Sequence, residues 1–406
     1  MGTPFTPAQR RLFVFLGVAT FFEGYDFLAL TQILPNLRAE MGLSRQEAGW
    51  LVATINVGTV VAYLLVRYAD RWGRRRVLSA TIAGYTIATG LSGLAPNVIT
   101  FAVLQLVARI FLIGEWATSL VYAAEEFPAD RRGMVIGAIN GFSSLGAIVC
   151  AGLVPLLLKT PWGWRTPYFI GVLPLAVLIY MRRNLKETRR FEEQVKDDAK
   201  QRPFYAILFS PYRKRLLQLG FIWMATYICT QNGVTFFKEF AMAERGMTDG
   251  QVGLAISVGA VGAMPLVFAV GPFMDRVGRR PGAVVIFIAT ALGIVGAYGF
   301  HAWWAITAAL VLAIFGASAV LPVLNAYNTE LFPTEYRGDA IAWSNNLIGR
   351  LGYVISPAIV GVVAERTGWG FAVRTTAIFP FVALAMILAF LPETRARELE
   401  DTAAFH

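Results

Sequence analysis

"DRWGRRR" at residues 70–76 returns as "DRVGRRP" at 275–281, an offset of 205 positions. "EEFPADRRG" at 125–133 returns as "ELFPTEYRG" at 330–338 with the same offset, keeping Glu, Phe, Pro, Arg and Gly in place. Asn140 and Asn345 share it, as do Gly163-Trp164 and Gly368-Trp369, and "ETR" at 187–189 returns at 393–395 with an offset of 206. Several segments in one register describe a duplication, and the two copies divide the chain near its middle.

Each copy is made of apolar runs. The chain has 406 residues, 56% of them hydrophobic and only 15% charged, with a mean hydropathy of +0.56. A soluble domain carries about 25% charged residues, so this chain lacks the polar surface to cover a soluble globule. Breaks by charge, Pro or Gly define twelve runs, at 12–35, 46–66, 77–95, 99–122, 133–158, 166–184, 214–237, 250–273, 282–300, 302–327, 339–364 and 371–391. Crossing a bilayer takes about 20 residues of helix. The composition therefore predicts an all-α polytopic membrane protein with twelve transmembrane helices in two pseudo-symmetric six-helix halves. The halves are expected at 1–184 and 214–391, with a cytoplasmic linker at 185–213 and a cytoplasmic tail at 392–406. Breaks as short as "APN" at 95–97 and "HAWW" at 301–304 require antiparallel neighbours. The first run is too long for the apolar core of a signal peptide, so it is read as a retained span.

The net charge of +10 is explained by placement. With the N-terminus inside, 26 of the 36 Lys and Arg fall on the inner side and 8 on the outer side, leaving Arg109 and Arg350 within spans. That asymmetry is the positive-inside rule and predicts cytoplasmic termini. The basic excess is topology, and no nucleic-acid partner is implied. Cys150 and Cys229 fall inside spans, where neither a disulfide nor a metal site is expected. No phosphate-binding Gly-rich loop is present, so no nucleotide-driven pump is expected. No nucleophile–base pair or metal cluster suggests an enzyme, and no cofactor is implied.

The D-R-x-G-R-R loop, present twice, resembles the signature of the major facilitator superfamily, and the resemblance covers essentially the whole chain. "RRG" after the fourth run, "GWR" at 163–165 and "PET" at 392–394 resemble its sugar-porter and metabolite–proton symporter branches. "GEW" at 114–116 and "EGYD" at 23–26 are similar to the metabolite– and aromatic-acid–proton symporters. The family's Gly four residues before the loop Asp is present as Gly271 and replaced by Val66 in the first copy. The Arg that the symporters carry ten residues before the Glu of "GEW" is Gln105 here, and the arginine of that run is Arg109. The antiporter pattern G-P-x-x-G-G is missing from the fifth run, which favours uptake over efflux.

The resemblance implies alternating access around a central site near the midplane, lined by the first, fourth, seventh and tenth spans. It implies an inner latch built from Asp70, Arg71, Arg74, Arg75, Glu125 and Arg132 in one half and Asp275, Arg276, Arg279, Arg280, Glu330 and Arg337 in the other. A carboxylate at a helix end can accept from free backbone amides and from Arg. The alternative is a solvated basic loop that only sets topology.

Glu23 and Asp26 raise the sharper question. A carboxylate at the bilayer centre costs about 2.5–3.5 kcal/mol on insertion scales. At 1.5 Å per residue Asp26 lies about 21 Å from one face and Arg109 about 15 Å from the other, at comparable depth. A buried Arg needs an acid, and a buried acid needs an Arg or a proton. Asp26 is expected as the proton carrier with Glu23 as alternate, and Arg109 as the partner of an anionic substrate. A static ion pair is the competing reading. Glu115 belongs either to a proton exit route or to the inner latch. Arg350 is a second cation for substrate or a partner of helix carbonyls. Tyr25, Trp116, Tyr227, Gln231 and Asn232 are candidate substrate contacts, against plain packing.

The sequence thus predicts a monomeric secondary transporter of the cell membrane whose partners are protons, a small organic anion and the lipid bilayer. A uniporter or symporter of a neutral sugar-like solute, an efflux antiporter and a non-transporting sensor are the alternatives.

Overall fold

The structure is a computed structural model that describes residues 5–72, 74–173 and 205–395; the side chains of 64–74, 124, 129–133 and 334 lie outside the description. The described residues are helical throughout, without strands. The chain forms two compact units, Met1–Gly42 with Thr54–Lys200 and Leu43–Ala53 with Gln201–His406.

The first unit holds α1 (Pro7–Met41), most of α2 (Arg45–Trp72), α3 (Arg74–Ser92), α4 (Val98–Glu126), α5 (Ala129–Leu157) and the short α6 (Thr166–Ile170). α1 outruns the apolar run 12–35 because its ends are set by caps. Thr6 and Gln9 form a capping box with Pro7 in the first turn, and Gly42 closes the helix at φ 66°. α3 and α4 pack as an antiparallel pair across the short 93–97 link, where Asn97 accepts from the Thr100 amide at 2.9 Å. The expected sixth span, 166–184, is described only to residue 173, and the expected linker 185–213 only from residue 205.

The closest helix contact of this unit is α1 on α5. A Cβ at Gly24 would lie 1.9 Å from the Ser143 carbonyl oxygen, and one at Gly146 1.8 Å from that of Phe21. Only glycine permits this approach, the small-residue packing by which membrane helices meet where no hydrophobic force separates helix from lipid.

The second unit holds α7 (Arg213–Thr235), α8 (Phe237–Arg245), α9 (Asp249–Val277), α10 (Arg279–Gly299), α11 (Trp303–Glu330), α12 (Thr334–Ile341), a π-helical segment (Ala342–Gly349), α13 (Leu351–Thr367), α14 (Trp369–Thr375) and α15 (Ile378–Phe390). Two runs read as single spans are interrupted: the eleventh carries the π segment, and the twelfth breaks between α14 and α15. Hydropathy is blind to such breaks because the apolar composition continues through them. The seventh run, expected over 214–237, ends at Phe236, where Tyr298 donates to the carbonyl of Gly233 at 2.9 Å, satisfying backbone that the helix end releases.

The duplication is visible in matching contacts. Near one end of the first unit, Trp164 and Arg165 donate to Glu40 at 2.7 and 2.6 Å. In the second, the Gly370 amide donates to Glu244 at 3.1 Å. Gly163 and Gly368 turn the chain at positive φ, 52° and 84°. Each copy uses one carboxylate to hold its Gly-Trp turn.

Eight helical stretches among the described residues have the length and apolarity to cross a bilayer. Their outer faces are apolar, with Ile99 74% and Phe268 73% exposed. α7 falls short of that apolarity because it buries Thr226, Thr230, Gln231 and Asn232.

Candidate functional site

In the first unit the close α1–α5 crossing puts Ser143 against Glu23, and the Ser143 hydroxyl donates to Glu23 Oε2 at 2.6 Å. Asp26, one turn further along α1, faces α3 and the turn after α6. A Cβ on Gly171 would lie 2.7 Å from Asp26 Oδ1 and 2.8 Å from Thr89 Cγ2. Thr89 is the hydrogen-bonding neighbour of Asp26, although neither carboxylate oxygen has a donor at full hydrogen-bond geometry. Both acids are buried, at 6% and 7% exposure.

Arg109 of α4 is equally buried, its guanidinium 4.6 Å from the centre of the Phe27 ring. It lies within electrostatic reach of both Glu23 and Asp26. The three charges expected to work together are thus assembled within one half. Gln105, where the symporters carry their arginine, donates to Ser92 of α3 at 3.0 Å and is a strut between helices. Tyr25 is buried, with its hydroxyl donating to the Pro167 carbonyl at 3.3 Å. Trp116 is half-buried, two turns from Arg109 on the same face of α4. Glu115 is fully buried on a different face, one oxygen accepting from Ser119 at 2.6 Å and the other without a partner.

In the second unit Tyr227 donates to Asn345 Oδ1 at 2.7 Å and meets Tyr353 edge-on at 4.5 Å. Asn345 lies in the π segment, the kind of helix distortion that gathers at functional sites. Arg350 closes that segment with a half-buried side chain whose Nε is buried without a partner. Gln231 donates to Thr235 at 3.0 Å. Asn232 is fully buried and donates to Ser356 at 2.8 Å, which ties α7 to α13.

In the second unit several of the residues expected at the latch meet in one cluster. Arg279 bonds Asp275 and Glu330, each at 2.9 Å. Arg280 donates to the Leu388 carbonyl, Arg276 is exposed, and Arg337 is half-buried with an unpartnered Nε. Sequence reasoning missed the residue at its centre. Glu393, from "PET", accepts from the Arg279 and Arg280 amides at 2.8 and 2.9 Å and caps α10. Thr394 donates to Glu330. Burial would raise the Glu393 pKa, but the Arg279, Arg280, Arg395 and Thr394 amides outweigh it and hold the carboxyl below its usual range. The missed signal was an α10 that opens on Gly278-Arg279 without a capping side chain of its own. Gly271 is exposed, with nothing within 4 Å of the position a Cβ would take, so it makes no close helix contact. In the first unit Arg75 and Glu125 are half-buried; Asp70, Arg71, Arg74 and Arg132 lie outside the described side chains.

A duplicated bundle of membrane helices, with buried charges in one half and a cluster of ion pairs at helix ends, defines a membrane transporter. The sequence pattern of the Major Facilitator Superfamily matches twice, over residues 16–241 and 220–405, and the chain belongs to that family. It is 29% identical to a cis,cis-muconate transport protein of Acinetobacter baylyi, over 90% of this chain and 91% of that one. It is 28% identical to a gallate transporter of Pseudomonas putida, over 97% and 94%. A solved D-xylose–proton symporter superposes with a TM-score of 0.76 at 18% identity, covering 95% of this chain and 98% of that one, a likeness of fold alone.

Proposed function

We propose that this transporter takes up a small organic anion together with protons by alternating access, as a monomer in the cell membrane with both termini cytoplasmic. The reading divides the chain into halves at 1–184 and 214–391, a linker at 185–213 and a tail at 392–406.

One observation carries the proposal. Glu23, Asp26 and Arg109 are buried together in one half, while the register that pairs Glu40 with Glu244 sets Tyr227 and Thr230, and the offset of 205 sets Ile314, at the matching positions of the other. The fold is built once without these charges. A set that the duplicate omits is not demanded by packing, and intramembrane charge is expensive. Two acids beside one guanidinium leave a carboxylate to be neutralised by a proton and a cation to receive an anion. Arg109 presents a planar fork suited to a carboxylate, and relatives that carry muconate and gallate, both carboxylates, support that choice. Asp26 carries the proton because it lacks a well-formed hydrogen bond, whereas Glu23 is held by Ser143. Tyr227, Asn345 and Arg350 give the second half a ring, an amide and a cation as further candidate substrate contacts.

The test is ligand-induced thermal stabilisation of the purified protein against aromatic acids, aliphatic diacids, sugars and lipophilic cations. A ligand at 100 times its dissociation constant stabilises by about 2.7 kcal/mol. The expected result is stabilisation by carboxylates that Arg109→Ala abolishes. Stabilisation by sugars alone would replace this reading with neutral-solute transport, and accumulation that survives both Asp26→Asn and Glu23→Gln would remove the proton role.

A further inference from the structure

α3 carries a row of hydroxyls where an apolar helix would serve for packing. Thr81, Tyr85, Thr86, Thr89 and Ser92 are all buried, and Thr81, Tyr85 and Thr89 stand four residues apart on one face. Thr81 and Ser92 return their protons to their own helix, at the Leu78 and Ala88 carbonyls. Tyr85 does not. Its side chain is fully buried, and its hydroxyl, with Thr86 of its own helix as hydrogen-bonding neighbour, makes no hydrogen bond of full geometry. A buried phenol left short of a full hydrogen bond in a native structure calls for an explanation.

Its surroundings supply one. Tyr85 lies within electrostatic reach of Glu115, Asp26 and Glu23, and has Thr86 beside it on its own helix. The helix contact fixes the register: a Cβ on Gly84 would meet the Phe111 ring at 2.5 Å, so residue 84 of α3 abuts residue 111 of α4. Glu115 follows Phe111 by one turn on the same face of α4. Side chains tilt toward the N-terminus of their helix. In this antiparallel pair Tyr85 and Glu115 therefore lean toward one another, and Glu115 Oε2 is the oxygen left free. On the other side of Tyr85, one turn along α3, Thr89 meets Asp26. The duplicate position holds Thr290, which donates to its own helix at the Ile286 carbonyl at 2.8 Å, so the fold does not require a free hydroxyl at this place.

The geometry points to Tyr85 as a relay that moves protons between Asp26 and Glu115 through Thr89, within the first half of the chain. This inference rests on the proton-coupled reading above. The protonated Asp26 gives its proton to Thr89 Oγ1 as the threonine's own proton passes to Tyr85 Oη. The phenol proton passes in turn to the Glu115 carboxylate, forming its O–H bond. Both hydroxyls are regenerated, and one proton has moved from Asp26 to Glu115 with no change of oxidation state. Glu115 is thereby a proton acceptor of the transport cycle, and the inner latch does not include it.

The test uses the full protein in liposomes with radiolabelled cis,cis-muconate and gallate as probes. Accumulation driven by an imposed pH gradient is compared with equal-concentration exchange of labelled for unlabelled probe, which needs no net proton transfer. Tyr85→Phe keeps the ring and removes only the hydroxyl. The expected result is gradient-driven accumulation at least tenfold slower, with exchange within about twofold of the unsubstituted protein. Glu115→Gln should show the same split, and the double variant should be no worse than either single one, because both act on one path. Gradient-driven accumulation by Tyr85→Phe at the full rate overturns the relay and leaves the proton-coupled reading standing. Equal loss of exchange and accumulation also overturns it, by making Tyr85 structural. If the unsubstituted protein gains nothing from the gradient with either probe, the proton-coupled reading falls and the relay falls with it.

Discussion

Replacing Glu393 with Ala should loosen the end of α10 by an amount that can be worked from the contacts. The carboxylate accepts the Arg279 and Arg280 amides at 2.8 and 2.9 Å, at a helix start where the N-cap residue is Gly278. Gly278 sits at φ 114°, ψ 165°, a region essentially closed to other residues, and a Cβ there would lie 2.9 Å from Glu393 Oε2. The turn is thus shaped to leave room for the carboxylate, and no capping side chain at position 278 can replace it. Loss of an N-cap acceptor costs about 0.5–2 kcal/mol, and the negative charge at the positive end of the helix adds about 0.3–1 kcal/mol. The two overlap, so the expected loss is about 1–2 kcal/mol. For a folding unit of this size that is a fall of roughly 2–8 °C in Tm. Glu393→Gln keeps one acceptor oxygen and should lose about half as much.

The pH dependence has a definite sign. The folded-state pKa of Glu393 lies below its usual value of 4.5, so the stabilisation is fully present above that value and is lost as pH falls through the lower folded pKa. Thermal unfolding in detergent should show the unsubstituted protein and Glu393→Gln apart at pH 7 and converging as pH falls below 4.5 and through the lower folded pKa. A melting temperature for Glu393→Ala equal to that of the parent at pH 7 would refute the assignment of this carboxylate as the helix cap.

Other expectations can be checked directly. Ser143→Ala removes the 2.6 Å bond to Glu23 and should slow gradient-driven uptake by about tenfold, the kinetic equivalent of about 1.4 kcal/mol, while leaving exchange nearly intact. Arg109→Lys keeps the charge but loses the planar fork, so carboxylate binding measured by calorimetry should weaken by at least tenfold. Asn232→Ala leaves Ser356 without its 2.8 Å partner and should lower stability by about 1–3 kcal/mol without changing which probes are transported. Gly146→Ala forces a Cβ to within 1.8 Å of the Phe21 carbonyl oxygen, and its yield of folded protein after detergent extraction should collapse.

Much of the architecture was legible because the duplication writes it twice. The matched loops at 70–76 and 275–281 announce the duplication, and the caps at Thr6, Gly42 and Asn97 follow familiar residue preferences. What escaped was backbone detail inside apolar runs. The break between Thr375 and Ile378 and the π segment at Ala342–Gly349 leave no trace in hydropathy, because their side chains are those of any membrane helix. Ser143 and Thr89 were invisible for a related reason. Hydroxyl residues are common in membrane helices and usually bond their own helix, as Thr226 does at the Ile222 carbonyl. Only the close α1–α5 crossing shows that Ser143 reaches a carboxylate. Asn232 looked like a candidate substrate contact from its place beside Gln231, and its commitment to Ser356 appears only when α13 is laid against α7.

The two halves, built on one plan, divide their chemistry unevenly, and the division argues for what each does. Between residues 70 and 163 the register is fixed by several matches, and within it Tyr85, Arg109, Glu115 and Ser143 stand opposite Thr290, Ile314, Val320 and Ile348. Val320 is fully buried, as Glu115 is, so this pair of positions is interior in both copies. An interior that accepts Val in one copy gains no stability from an unpaired carboxylate in the other, and desolvation makes that carboxylate a burden. The second half holds Asp275, Arg279, Glu330 and Glu393 at helix ends, where backbone amides and partial exposure make charge cheap to hold, and keeps Arg350 beside its π segment. Its interior polar groups include amides and phenols, such as the Tyr227–Asn345 pair, which satisfy one another without a proton. On the proposed function, the charges of the first interior serve the proton and the anion, which accounts for a set that the second copy builds without.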